Sequence, residues 1–192
     1  MKNTIKKLAV VALVTVFASS FTTIGGEKKA VKTEESTVVW KGYKVTGSHE
    51  GTIAIKSGTL EFDKDKLVGG EFVIDMTTIS STDLEGEYKG KLDGHLKSDD
   101  FFGVEKFPTS KLVFKKVKAS GKNAYNVTGD LTVKGKTHAI DFTISIYGSK
   151  ATASLKIDRT KYDIRYGSAS FFDDLADKAI YDEFDIVADL EF

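Results

Sequence analysis

The three histidines are the residues of this sequence with the widest choice of chemistry, because imidazole can act as a base, carry a proton or bind a metal. They are His49, His95 and His138, and none forms an HxxxH or HExxH pair with another. Histidines from separate strands could still converge on zinc in a barrel. Their spacing favours surface or hydrogen-bonded histidines, and we predict no metal site.

The remaining catalytic motifs are also missing. The chain has no cysteine, which excludes thiol nucleophiles and cysteine-bound metals. Gly167-Ser168 follows Tyr166 without the flanking glycine of a GxSxG elbow. Most carboxylates alternate with apolar residues, as on the solvent face of strands, and those in 173–177 fall at a predicted helix start. With no phosphate-binding or dinucleotide-binding motif, the sequence predicts no catalytic residue and no cofactor.

Alternation of apolar and polar residues dominates the chain after Ser36. Clear examples cover 125–133, 140–146, 151–157 and 184–192. This period of two places one face of each strand in a core and the other in water, as in antiparallel sheets. About eight or nine such strands with short connections favour an all-β fold, an antiparallel eight-stranded barrel with one or two short helices. A two-sheet sandwich is the alternative.

Two segments depart from the strand pattern and predict short helices. In residues 83–102 an apolar residue recurs every four positions, at Leu84, Tyr88, Leu92 and Leu96. Interleaved glycines weaken this helix by about 1 kcal/mol each relative to alanine. We interpret 83–102 as a movable cover over the barrel. The second helix is predicted near 171–179, where Ser170 begins a Ser-x-x-Asp capping box.

The first twenty residues have the pattern of a secretory signal peptide. Lys2, Lys6 and Lys7 precede an apolar run over 8–18, and small residues follow up to Ser20. The run is short for a membrane-spanning helix, which needs about 20 residues. We therefore expect cleavage near Ser20, a periplasmic or secreted protein, and no stable membrane anchor.

A flexible leader at 21–35 is expected next, since this stretch lacks periodicity. The folded domain is then 36–192. Removing residues 1–20 takes away three of the 28 basic residues, which leaves 25 against 28 acidic residues. Nucleic-acid binding depends on clustered positive charge, so this balance argues against a nucleic-acid partner.

Several segments together resemble one known family. They are Trp40-x-Gly42-x-Lys44-Val45-x-Gly47-x-His49-x-Gly51, Gly70-x-Phe72-x-Ile74-Asp75, His95-Leu96-Lys97-Ser98 with Phe101-Phe102, Phe107-Pro108, Gly129-x-Leu131-Thr132-Val133-Lys134-Gly135, and Ile157-Asp158-Arg159-x-x-Tyr162-x-Ile164. In this order they resemble the YceI family, the polyisoprenoid-binding, lipocalin-like proteins of bacterial periplasms.

The resemblance implies a lipocalin-like barrel whose apolar interior accepts an isoprenoid-type lipid, such as a polyprenyl phosphate or an isoprenoid quinone. We expect an exported binding protein that holds this lipid for transport or storage, with a homodimer as one possible assembly. Two alternatives are an enzyme that acts on a lipid inside the barrel and a stress-related interaction protein with an incidental cavity.

The ligand-binding residues are predicted from residue type and position. Arg159 is the first candidate for the head group, because guanidinium pairs with phosphate in a planar, bidentate way. A strand-end salt bridge is its alternative role. His49, His95 and Lys97 are weaker head-group candidates. Candidates for the cavity wall, some of which fill the core instead, are Trp40, Phe72, Phe101, Phe102, Phe142, Phe171 and Phe172.

Overall fold

Residues 26–192 form nine antiparallel strands, with one helical insertion between the fourth and the fifth. The computed structural model describes residues 26–192, so the expected signal peptide lies outside the described residues. The strands are β1 Glu27–Ala30, β2 Thr37–Lys44, β3 Gly47–Asp63, β4 Lys66–Ser81, β5 Thr109–Ala119, β6 Ala124–Val133, β7 Lys136–Tyr147, β8 Lys150–Asp158 and β9 Ile180–Glu191.

Eight of these strands close into a barrel. Pairing runs through β3, β2, β9, β8, β7, β6, β5 and β4, and β4 pairs again with β3. All of these pairs are antiparallel. Closure leaves the main ladder without a free edge. The predicted eight-stranded barrel is confirmed, and the sandwich alternative is wrong.

Strand β1 corrects the expectation of a flexible leader from Glu27 onward. Glu27–Ala30 pairs with Thr59–Phe62 of β3, beyond the stretch that pairs with β2. Strand β3 is 17 residues long, and β2 covers only part of its edge. The free backbone groups there can pair with almost any extended segment, which is why a four-residue strand without clear alternation escaped prediction.

The connections divide the barrel into two ends. The helix end carries the β2–β3, β6–β7 and β8–β9 connections and the insertion after β4; the far end carries the β3–β4, β5–β6 and β7–β8 turns. The far end is closed by buried side chains, and the Phe62 ring stacks on Phe192 with 5.5 Å between centroids. The buried residues there include Leu60, Phe62, Leu67, Tyr125, Val127 and Ala151.

The first predicted helix is confirmed with narrower bounds, as α1 Gly86–Lys97. The amide of Ser98 donates to the carbonyls of Gly94 and His95, which ends the helix. The chain then turns through residues 98–108 and enters β5. In the described part of the chain, none of the helices has the length and apolar character to cross a membrane.

The second predicted helix, near 171–179, is wrong. Only a 3-10 turn forms there, at Ala176–Lys178, and two further 3-10 turns lie at Thr33–Glu35 and Arg159–Tyr162. The Ser170 hydroxyl donates to Oδ2 of Asp182 at 2.5 Å, so it does not cap a helix. Short polar side chains readily exchange helix caps for such local bonds.

Candidate ligand cavity

An elongated apolar cavity of about 240 Å³ occupies the barrel interior. On β9 its wall extends from Ile180 at the helix end to Leu190 near the far end. Ten residues at about 3.3 Å each, on a strand tilted by roughly 40°, correspond to ~25 Å along the barrel axis. Apolar cavities of about 150 Å³ already bind benzene, whereas drug-sized sites measure roughly 300–1,000 Å³. The cavity therefore has room for part of an apolar chain, and a longer chain requires wall side chains to move.

An aromatic wall forms one side of the cavity. Phe114 lies between Phe72 and Phe142, with centroid distances of 5.9 Å and 5.3 Å. Glycines make room for this wall: a Cβ atom at Gly70 would lie 2.8 Å from the Phe114 ring, and one at Gly129 would lie 3.6 Å from Phe142. Since β4 and β6 carry no side chain at these inward positions, the Phe114 and Phe142 rings can occupy the space beside them.

The helix α1 and the turn after it cover the helix end of the cavity. Leu92 and Leu96 of α1 line the cavity, as do Phe101 and Phe102. The two phenylalanines are each 8% exposed, and the Phe102 ring packs against Phe184 of β9 at 6.4 Å. The covering segment predicted at 83–102 is therefore in place; its movement stays a prediction.

Asp93 fixes α1 to the end of β4. Its Oδ1 atom accepts hydrogen bonds from the Ser81 amide at 2.7 Å and the Ser81 hydroxyl at 2.9 Å. Its Oδ2 atom accepts from Ser80 Oγ at 2.9 Å and Lys89 Nζ at 2.7 Å. Burial by itself would raise the pKa of Asp93, but these donors stabilise the carboxylate and lower its pKa to about 2.

The polar lining of the cavity is concentrated at the helix end. There the wall includes Tyr43, Lys44, His49, His95, Ser110 and Arg159. His49 Nδ1 lies 2.8 Å from Oδ2 of Asp83, so its ring joins the start of β3 to the β4–α1 connection. The lining near the far end, which includes Val38, Ile144 and Leu190, is apolar. The cavity is therefore polar at one end only.

His95 places an unpaired polar atom in this wall. Its Nε2 atom is buried and has no hydrogen-bond partner within residues 26–192. The ring packs edge-on against Phe101 at 5.4 Å and Tyr166 at 4.4 Å. A buried polar atom without a partner is costly, so a ligand oxygen that reached His95 would gain a hydrogen bond and relieve this cost.

Arg159 is almost fully buried, with 2% of its surface exposed. Its Nε atom donates to the backbone carbonyl of Tyr181 at 3.0 Å. Its Nη1 atom donates to the carbonyl of Ile164 at 2.8 Å, and its Nη2 atom donates to the carbonyl of Ile180 at 2.9 Å. Asp182 Oδ1 lies 3.6 Å from Nη2. Burial lowers the pKa of the guanidinium, and Asp182 partly offsets this. Three of the five N–H groups of an arginine are thus committed to the protein, which favours the structural alternative for Arg159.

The three histidines do not converge. His49 lies near the start of β3, His95 lies in α1, and His138 lies exposed on β7. The His138 ring packs against Tyr162, with 5.3 Å between ring centroids. Across residues 26–192, no group of three or more His, Cys, Asp or Glu side chains is placed to hold a metal ion.

Eight of the eleven predicted ligand-binding residues line the cavity: Trp40, His49, Phe72, His95, Phe101, Phe102, Phe142 and Arg159. The structure corrects the placement of the other three. Lys97 does not line the cavity, whereas His95 and Leu96, which precede it in α1, do. Phe171 and Phe172 are 46% and 51% exposed, because the expected helix is absent and Phe171 packs beneath Arg165 at 4.6 Å.

Sequence reasoning missed several lining residues. Ser110 and Phe114 lie on β5, whose alternation is obscured by lysines and by a register shift after Phe114. Ala153 and Ala188 were detectable, since the alternating patterns of 151–157 and 184–192 already place both facing inward. The alternating pattern does not predict that their small side chains leave space in the barrel interior.

Comparison with known proteins identifies the family. The family model for the YceI-like domain matches residues 30–192. A UPF0312 protein of Pseudomonas putida is 31% identical over 148 residues, covering 74% of this chain and 73% of its own length. A UPF0312 protein of Pseudomonas fluorescens is 30% identical over 145 residues, which cover 74% of this chain and 73% of the relative's own length.

Solved structures share the fold. Burkholderia cenocepacia BcnA superposes with a TM-score of 0.65 at 23% identity, covering 83% of this chain and 98% of its own. A polyisoprenoid binding domain from Saccharophagus degradans gives a TM-score of 0.58 at 13% identity, and the match covers 86% of this chain and 98% of that domain. With the barrel, its cover and the match over residues 30–192, this chain belongs to the YceI-like domain family.

Proposed function

We propose that this protein is an exported, non-catalytic carrier that holds an isoprenoid-type lipid, such as a polyprenyl phosphate or an isoprenoid quinone, for transport or storage. The observation that carries the proposal is the elongated apolar cavity with polar groups at one end only. That distribution suits a molecule with an apolar chain and a single polar head. Membership of the YceI-like family and the fold shared with a polyisoprenoid binding domain support the same ligand class.

Burial of the chain supplies the binding free energy. Each methylene group removed from water contributes about 0.8 kcal/mol, and ordering the chain offsets part of this gain. The head would lie at the helix end, where His95 Nε2 has no partner among the described residues. The tail would point toward the far end, where buried side chains close the barrel.

The bonding of the polar lining residues supports a structural rather than a catalytic role for them. Arg159 donates to three backbone carbonyls, and His49 is joined to Asp83. These side chains hold connections at the helix end together. Export is supported by the basic and apolar pattern of residues 1–20, and the mass of the protein recovered from a periplasmic extract or culture medium would reveal cleavage near Ser20.

The single tryptophan of the chain offers a direct test. Trp40 lines the cavity, and its Nε1 atom donates to the Thr52 carbonyl at 3.3 Å. Titration of delipidated protein with geranylgeraniol should shift Trp40 fluorescence and saturate, and native mass spectrometry should show the bound alcohol. No fluorescence change together with no added mass would refute the proposal.

Neighbouring residues of β9 provide matched variants. Ile186 lines the cavity and pairs with Trp40, whereas Val187 is 41% exposed on the outer face. Ile186→Phe should fill the cavity and abolish geranylgeraniol binding, and Val187→Phe should bind as the unmodified protein does. Equal binding by both variants would place the ligand outside the barrel.

A further inference from the structure

Four inward residues lie in one register row near the far end of the barrel. Val38 of β2 pairs with Ala188 of β9, Ala188 pairs with Ala153 of β8, and Ala153 pairs with Ile144 of β7. All four are buried and line the cavity. Directly opposed residues have Cβ atoms about 4.5–5.5 Å apart. Two adjacent alanines between larger side chains therefore leave a notch, which we call the alanine notch.

The alanine notch lies near the closed end of the cavity. One inward position further toward the far end, Ala151 pairs with Leu190. Ala151 is 2% exposed and does not line the cavity. Beyond it lies the far-end core around Leu60 and Phe62. Leu190 still borders the cavity in that row, so the alanine notch lies just before the closed end for a molecule that enters from the helix end.

We propose that Ala153 and Ala188 form the pocket for the tail end of the lipid chain and thereby set the longest chain that binds well. This inference rests on the proposed function. The polar lining at the helix end fixes the head there, so the chain terminus points toward the alanine notch. The preferred occupant is an apolar, branched chain end, because the notch walls, Val38 and Ile144, carry no charged or hydrogen-bonding side-chain group.

The test uses the full chain and three alcohols of increasing length: geraniol, farnesol and geranylgeraniol. Ala188→Leu and Ala153→Leu each fill the notch. Each buried methylene contributes roughly fourfold to affinity, so displacing two of them should weaken geranylgeraniol binding by about tenfold or more. Geraniol is too short to reach the notch from the helix end, and its affinity should stay unchanged. Ala139→Leu, on the exposed face of β7, is the matched control and should leave all three affinities unchanged.

Smaller variants keep the test informative where leucine disturbs folding. Ala188→Val and Ala153→Val should show the same dependence on chain length with a smaller loss, and thermal unfolding reports whether each variant is folded. An unmodified protein that binds none of the alcohols would overturn the proposed function and this inference with it. An unmodified protein that binds geranylgeraniol, with folded variants whose affinities are unchanged or fall equally for all three alcohols, would overturn this inference alone.

Discussion

The Ser81 amide donates a 2.7 Å hydrogen bond to Oδ1 of Asp93, which joins the last residue of β4 to α1. The Ser81 hydroxyl donates to the same oxygen at 2.9 Å. Lys89, one turn earlier in α1, donates to the other carboxylate oxygen at 2.7 Å. Because α1 covers the helix end of the cavity, this carboxylate helps to attach the cover to the barrel.

Asp93→Asn should destabilise the protein in a pH-dependent way. The pKa of Asp93 is lowered from 3.8 to about 2 in the folded state, so its contribution is present above about pH 4 and lost as the pH falls through 2. At neutral pH it amounts to about 2 kcal/mol. Urea unfolding should show this difference at pH 7, and most of the difference should be lost by pH 2. Asp173→Asn, at an exposed position, is the control; identical pH profiles for both variants would contradict the prediction.

Lipid binding should slow hydrogen exchange in α1. Helix α1 begins at Gly86, and Gly103 follows the covering segment; their φ values of 56° and 58° suit glycine and allow the chain to turn sharply at both places. A bound chain packs against Leu92 and Leu96 and so should protect the amides of α1. Exchange measured by mass spectrometry with and without geranylgeraniol tests this, and an unchanged rate would indicate a static plug.

Gly51→Ala should be strongly destabilising. A Cβ atom at Gly51 would lie 2.0 Å from the Ser80 carbonyl oxygen and 2.6 Å from Cζ2 of Trp40, so strands β3 and β4 would have to separate. We expect a loss of more than about 3 kcal/mol in unfolding free energy. Gly42→Ala on the adjacent strand is the control, since a Cβ atom there meets no atom within 4 Å and should cost less than about 0.5 kcal/mol. Similar losses for the two variants would show that β3 and β4 adjust freely.

Arg159→Lys should lower stability more than it lowers affinity. A lysine cannot reproduce the three bonds to the carbonyls of Ile164, Ile180 and Tyr181. Leaving buried carbonyls unpaired costs about 2–4 kcal/mol in total. Arg165→Lys is the control, because Arg165 is exposed and pairs only with Asp163 at 2.9 Å among the described acids. A stable Arg159→Lys protein that no longer binds a prenyl phosphate would instead assign Arg159 to the head group.

His95→Leu should weaken binding of an isoprenoid alcohol without affecting a bare hydrocarbon. The Nε2 atom of His95 is buried without a partner among residues 26–192, and a hydrogen bond to a ligand hydroxyl contributes about 1 kcal/mol. Geranylgeraniol affinity should fall roughly fivefold. The corresponding hydrocarbon, which lacks the hydroxyl, should bind both proteins equally. An equal loss for both ligands would show that His95 contributes only packing.

Period-two alternation predicted the antiparallel strands, because strands such as β7 and β8 have one inward and one outward face. The number of strands and their short connections then favoured the barrel over the sandwich. Phe101 and Phe102 line the cavity as predicted. Alternation does not reveal which strand edge remains free, and β1 was missed for that reason.

The site residues that sequence patterns misplaced or missed depend on contacts between segments that are distant in the sequence. Phe171 and Phe172 were misplaced because Ser170 bonds to Asp182, which is distant in sequence from the expected cap. The partners of Arg159 are backbone carbonyls, and carbonyl positions depend on how β8 and β9 are connected. The alanine notch requires the registers of three strand pairs, which residue patterns alone do not specify.

A crystal structure of the protein grown with geranylgeraniol tests the central claim most directly. We expect continuous ligand density inside the barrel, with the hydroxyl beside His95 and the tail against Ala153 and Ala188. Ligand density confined to the outer surface, with the interior unchanged, would contradict it.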